Sequence, residues 1–531
     1  MVGALTGVNP VPRTESKPHL KVVWFAALLG ACGGSSGPPP PAKDFRITAS
    51  PSSTLATIGS VTGPIQISIS GQNGFSDSVN VTLSGIPTGV SSQPVSPFAI
   101  VAGQSQDVSL SLPAGLPVAD FTLQISGTSG NLSHTAQTAV AVMAISTMDT
   151  GSMLELETQT ATGLARIGLY KAWGGSITEA SLNGTDYVNN DDPGRQVQVS
   201  LWDGDADYTT SWGYNPIEAG DHDFNGSPLL ASSLTETSIY TKSQPLQWAP
   251  ENFGGGPAPV LGDAYIEKWI SVVPGYSSVF KVHYKVTHFG TDVHTEHGQE
   301  APVVYVNPNV PNFVYYGGMA AWTNDSLTTY QPSGPCCTEL HTPENWGAYV
   351  DSTNQGIAVY TPSQYPHSQV FNAGSTLQLT PMCPFDWDPG AVLEFDTYIL
   401  LGSVNQMRAA IYALHAEPTG PSPLPAWGNL DTPVSGDTMT GSATVSGWAW
   451  GLSKVTDVSV FVDGTFIDHA MYGLPKPEIK DTYPDAPINI VFVYTLDTTK
   501  LSNGNHAVTV KATDANGKVA TYPNAHVKIS N

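Results

Sequence analysis

The residue types best suited to chemistry are concentrated in a few short segments. HTEHGQEAPVVYVNP, residues 294–308, places His294, Glu296, His297 and Glu300 within seven positions and then turns apolar. Glu300 directly precedes the apolar run. Burial there would raise the proton affinity of its carboxyl, and a nearby cation such as His297 would lower it. A carboxyl tuned in this way can act as a general acid. Two other readings compete: a solvated edge loop, and a metal site built from His294, His297 and Glu300. Spacings of three residues would gather those ligands on one face of a helix. The flanking segments alternate as strands do, however, and a strand turns His294 and His297 to opposite sides. The segment is also not an HExxH arrangement, so no catalytic metal is expected.

A second carboxylate, Glu344 in TPENWGAYVD, stands beside Trp346 at the start of another alternating run. A carboxyl against an indole is a general-acid environment, and a surface residue opening a strand is the alternative. Arg195 follows NNDDPG in a chain where arginine is rare. It could bind a sugar hydroxyl or a uronate carboxylate, or pair with Asp191 or Asp192. Trp346, Trp322 and Trp212 could supply platforms for the apolar faces of sugar rings, with His294 as a further contact. The catalytic set expected is Glu300, Glu344 and His297. The binding set is Arg195, Trp346, Trp322, Trp212 and His294. An acid and a base flanking a glycosidic bond is the arrangement of glycoside hydrolases. If the substrate were acidic, Arg195 would instead suit a β-elimination lyase. Asp203, Asp205 and Asp207 alternate like the start of a calcium loop, but its twelfth position would fall on Tyr214 rather than a Glu. No cofactor is expected, with structural calcium as the alternative.

Strands must hold these groups in place. The 531 residues include 52 Gly and 43 Pro, and short Val, Ile, Thr, Tyr and Phe runs are broken by Gly, Pro, Asn and Asp. That texture predicts an all-β chain of sandwiches, too long for a single core. One short helix is expected over 405–417. Residues 153–417 carry eight of the 12 tryptophans, and strands this numerous must pack as two large sheets. Residues 44–148 carry about seven alternating runs, the pattern of an immunoglobulin-like sandwich, and residues 427–531 alternate in the same way. Asp463-Gly464, Asn503-Gly504 and Asn516-Gly517 predict tight turns. The net charge of −24, with only 20 basic residues, excludes a phosphate-binding surface and so nucleic acid. A polysaccharide or oligosaccharide is the expected partner, and a monomer the expected state.

The N-terminus reads as an address. Arg13, Lys17 and Lys21 precede VVWFAALLGAC, an apolar run too short to cross a bilayer. Residues 1–32 are expected to be an export signal, and the Gly/Ser/Pro stretch 33–43 a tether. The four cysteines are Cys32, Cys336, Cys337 and Cys383. One of the adjacent pair could bridge to Cys383 in an oxidising compartment, or all three could be free thiols.

Three resemblances extend this reading. LGAC, ending at Cys32, resembles the bacterial lipobox, which implies acylation of Cys32 and an anchored protein of the cell envelope, with no other membrane contact. The segments GFSDSVNVTLSGIPTGV and LDTTKLSNGNHAVTVKATDANG resemble bacterial Ig-like modules. LYKAWGGSITEASLNGTDYVNNDDPGRQVQVSLWDG is similar to the opening of galactose-mutarotase-like supersandwich domains, which occur in sugar epimerases, glycoside hydrolases and polysaccharide lyases. The late catalytic Glu motif of the epimerases has no clear counterpart, so a simple aldose epimerase is not expected. The reading as a whole is an exported carbohydrate-active enzyme, a glycoside hydrolase first. A lyase or a non-catalytic glycan-binding or adhesion lipoprotein is the alternative.

Overall fold

The computed structural model describes residues 41–203, 213–253, 258–334, 336–416, 426–482 and 486–531. Among these the regular structure is nearly all β, as the alternation predicts, with one helix of any length, Val404–Ala416. No helix among them is long and apolar enough to cross a membrane.

The middle of the chain is a two-sheet sandwich. The first sheet runs, in antiparallel neighbours, through Met153–Thr160, Gly163–Tyr170, Ser176–Leu182, Val197–Ser200, His294–Val306, Leu377–Pro381, His367–Asn372 and Thr338–His341. The second has nine strands, with Ala264–Val272, Val279–His288, Val392–Ser403 and Gln355–Tyr360 at its centre. Strand alternation builds the core between them. In Val279–His288, Phe280, Val282, Tyr284 and Val286 point inward and are fully buried, while Lys281, His283 and Lys285 between them are only half-buried. A buried ion pair also crosses this core, from Lys268 Nζ on the second sheet to Glu218 Oε1, and Glu218 Oε2 accepts from the backbone N–H of Val199 at 3.1 Å. The helix Val404–Ala416 covers the far side of the second sheet, where Met407, Ala410 and Ile411 pack on Trp346, Ala348 and Leu400.

On the N-terminal side, a sandwich closes over Phe45, Ile67, Val79 and Leu123. Its strand Leu132–Asp149 is 18 residues long. It pairs with Phe121–Ser129 in that sandwich and then, over 144–149, with Met153–Thr160 of the first middle sheet. On the C-terminal side, two sheets close over Val445, Val460, Phe492 and Val510. Asp463 and Gly464 both have positive φ, 51° and 74°, at the expected hairpin turn. Trp450 leaves that body to pack against Tyr365 of the middle sandwich, whose hydroxyl donates to the Trp450 carbonyl at 3.3 Å.

The adjacent cysteines depart from both expectations, whereas Cys383 is a free thiol as the second expected. Cys336 and Cys337 are bonded to each other, and Cys383 is a buried free thiol. Cys383 points into the sandwich core, while the adjacent pair is exposed on a loop, so the expected bridge between them does not form.

Candidate active site

The outer face of the first sheet is hollowed into a cleft of about 750 Å³. Its floor is formed by neighbouring strands: Gln198 and Ser200, then Glu300 and Tyr305, then Gln378. Glu300 and Tyr305 lie five positions apart on one strand, which simple alternation would send to opposite faces. The register against Val197–Ser200 resolves this. Gln198 pairs with Val303 but Ser200 pairs with Glu300, so one extra residue bulges from the His294–Val306 strand between them. The bulge returns Glu300 to the cleft side.

Glu300 is half-buried, and its Oε1 accepts from Gln378 Nε2 at 2.9 Å. Burial pushes its pKa up to about 7, against the opposing pull of hydrogen bonds from Ser200 and Gln378 and of the Arg195 charge. The guanidinium of Arg195 stands 5.4 Å from the centre of the Tyr305 ring. A tight turn delivers it: Asp192 Oδ1 accepts from the backbone N–H of Gly194 at 2.7 Å, and Arg195 Nε lies 3.4 Å from Asp192 Oδ2. Glycine suits position 194, where a Cβ would come within 2.9 Å of the Trp248 ring. Burial holds the Tyr305 phenol protonated far above the ordinary range. Trp248 and Phe371 line the cleft with the Cys336–Cys337 disulfide, and Trp427 reaches in from the C-terminal body. Glu339 is the other carboxylate lining it, exposed, with Oε1 accepting from Gln369 Nε2 at 3.2 Å.

Glu344, Trp346 and Trp322 are placed elsewhere. Glu344 is 1 % exposed and sits between the second sheet and the helix. Its carboxylate accepts from Trp346 Nε1 at 2.8 Å, the Tyr412 hydroxyl at 2.6 Å and the Trp322 backbone N–H at 2.9 Å, with Arg408 Nη2 3.8 Å away. Trp346 is buried and Trp322 stacks on His415 with ring centres 3.5 Å apart. A carboxylate with this many donors and no open side clamps the helix to the sheet. Glu344 and Trp346, expected in the same site as Glu300, are therefore not part of the Glu300 cleft.

His294 is also outside the cleft lining. It is buried, stacked on Tyr214 at 3.5 Å, with Nδ1 3.1 Å from Asp203 Oδ2 and Nε2 3.6 Å from Asp263 Oδ2. Burial lowers its pKa, but the hydrogen bonds and charges of Asp203 and Asp263 outweigh it and raise the value to about 9. His288 Nε2 lies 3.0 Å from the same Asp263 oxygen. Asp203 is thus engaged with a histidine. Asp205, Asp207, Trp212, Cys32 and the side chain of His297 lie outside the described residues. The cluster at Asp263 and His288, and the cleft residues Tyr305, Gln378, Trp248, Glu339 and Trp427, were not singled out from the sequence. Tyr305 and Gln378 are polar positions in otherwise apolar strands, and that signal could have pointed to them.

Residues 429–510 match the bacterial Ig domain family Big_7. No curated protein matches the chain. Among solved structures, a polysaccharide lyase is similar over 70 % of this chain at 10 % identity and a TM-score of 0.29, and the chain spans only 47 % of that protein. A mutarotase-like protein (YeaD) from Salmonella typhimurium is similar over 49 % of this chain and 94 % of its own, at 13 % identity and a TM-score of 0.30. Fibronectin(III)-like modules of Clostridium thermocellum CbhA are similar over 19 % of this chain and 94 % of their own, at 14 % identity and a TM-score of 0.15. Scores this low carry no argument about activity.

Proposed function

We propose that the chain is a carbohydrate-active enzyme, a glycoside hydrolase, with Glu300 as its general acid. One observation carries this reading. A carboxyl whose pKa is pushed up to about 7 faces an open cleft walled by tryptophans. A carboxyl that keeps its proton near neutrality can give it to a leaving sugar oxygen. Trp248 and Trp427 supply apolar faces for pyranose rings, and Gln198, Gln378 and Arg195 supply hydroxyl partners. Glu339 takes the second carboxylate role, base or nucleophile, for which Glu344 is wrongly placed. Arg195 beside Glu300 favours one further reading, a lyase that neutralises a uronate carboxylate at Arg195. Ionised Glu300 would then take the proton α to that carboxylate, and Tyr305, whose phenol resists ionisation, would give a proton to the leaving sugar oxygen.

The test is a panel of neutral and uronate polysaccharides, assayed in parallel for new reducing ends and for the absorbance of unsaturated products. Hydrolysis predicts the first signal alone, and the lyase reading predicts both. Glu300→Gln should lower turnover by roughly 100-fold or more, and Glu339→Gln should do so for hydrolysis. Full turnover in Glu300→Gln would sink the assignment. We further propose that the protein is exported, monomeric and held at the bacterial envelope through acylated Cys32. Cys32→Ser should then abolish incorporation of labelled fatty acid.

A further inference from the structure

We propose that Asp263, His288 and His294 form a divalent transition-metal site of the zinc class that staples the two sheets of the middle sandwich. The ligands come from three places. Asp263 precedes the strand Ala264–Val272, His288 ends Val279–His288, and His294 opens His294–Val306 of the opposite sheet. Asp263 Oδ2 stands 3.0 Å from His288 Nε2 and 3.6 Å from His294 Nε2, and the three donor atoms all lie within 4.8 Å of one another. Ligands about 2.0–2.1 Å from a tetrahedral zinc are separated by about 3.3 Å, so these spacings straddle the requirement.

The atoms behind the ligands are arranged as a metal site needs. His288 Nδ1 is 2.9 Å from the carbonyl of Asp388, His294 Nδ1 is 3.1 Å from Asp203 Oδ2, and Asp263 Oδ1 accepts from the Tyr214 hydroxyl at 2.9 Å. With Nδ1 of each ring donating to those partners, Nε2 of each would be left to bind an ion, the outer-shell pattern of metal-bound histidine. His294 Nε2 is buried and its contact with Asp263 Oδ2, at 3.6 Å, is too long for a well-made hydrogen bond, a shortfall that an ion at this point removes. The approach is kept clear by Gly290, where a Cβ would lie 2.6 Å from His288 Nε2 and against Asp263 Oδ2. Two imidazoles and one carboxylate select zinc or a neighbouring transition metal over calcium and magnesium, which take oxygen ligands. Carboxylates Asp263 and Asp203 balance the charge of a divalent ion. Asp203 follows Trp202, whose backbone N–H and carbonyl both bond the side chain of Gln299, at 2.8 and 2.9 Å. The staple therefore fixes the strand that carries Glu300.

The test uses the full untagged chain, stripped with a chelator and titrated with Zn2+, with metal content read after dialysis. One equivalent per chain should be retained in the presence of excess Ca2+ and Mg2+. His294→Ala should weaken binding by about 100-fold or more. Gly290→Ala, which keeps all three ligands, should weaken it as well. The Co2+-loaded protein should show the intense visible absorption of a tetrahedral nitrogen/oxygen site. If a ligand variant folds poorly, Gly290→Ala and the cobalt spectrum decide. Substoichiometric metal, unchanged affinity in either variant, or a weak octahedral cobalt spectrum would each overturn the site. None of these readouts depends on sugar turnover, so the site and the enzymatic reading stand or fall separately.

Discussion

Substituting Glu300 by Gln should separate stability from activity. The carboxyl of Glu300 has its pKa raised from 4.5 to about 7 in the folded protein. Between those values the unfolded chain has already lost this proton while the folded chain keeps it. Folding stability therefore falls as pH rises through the window, by about 1.4 kcal/mol per pH unit. Over about 2.5 units the loss reaches roughly 3 kcal/mol and is complete above the folded value. A glutamine cannot ionise, and its amide oxygen can still accept from Gln378 Nε2. Relative to wild type, Glu300→Gln should therefore gain about 3 kcal/mol between pH 4 and pH 8. The measurement is urea unfolding of both proteins at several pH values. Taking the difference between them cancels the other titrating groups. A difference that stays flat with pH would refute the claim that this carboxyl is held protonated by burial. It would also remove the basis for Glu300 as general acid.

Other outcomes follow from contacts already described. Lys268→Met strands the buried carboxylate of Glu218 and should cost about 3–5 kcal/mol in urea unfolding, much of it recovered by adding Glu218→Gln. Glu344→Gln should cost about 1–3 kcal/mol by weakening the clamp on the helix, yet leave kcat of the folded protein unchanged. A collapse of kcat at full stability would place Glu344 in the chemistry after all. Trp427→Ala removes a cleft platform supplied by the C-terminal body and should weaken saccharide binding about tenfold, read by calorimetry.

Much of the architecture was legible because strand period and burial are local. IQISISGQ alternates in sequence as the strand Ile65–Gln72 alternates in burial, and NQMRAAIYALHA lies in the helix Val404–Ala416. Arg195 and Glu300 were also recoverable, since each is an ionisable residue at the edge of an apolar strand. Glu344 was misread because a carboxyl next to an indole looks the same in a cleft wall and in a buried clamp. The deciding partners, Tyr412 and Arg408, come from a helix far along the chain. The cysteine pairing failed for a similar reason: spacing says nothing about which side chain faces the core. The cluster around Asp263 left a usable trace. His288 and His294 bracket a short loop at the ends of two strands, and Ala264, next to Asp263, pairs directly with His288.

The strand Leu132–Asp149 has a mechanical consequence. At about 3.3 Å per residue its 18 residues make a rod of about 60 Å, hydrogen-bonded first to one sandwich and then to the next. Rotation between those two bodies must bend a paired strand rather than swing on a loop. The N-terminal sandwich therefore behaves as a stiff mount instead of a swivelling leash. Whatever holds that end of the molecule also sets the height and heading of the cleft.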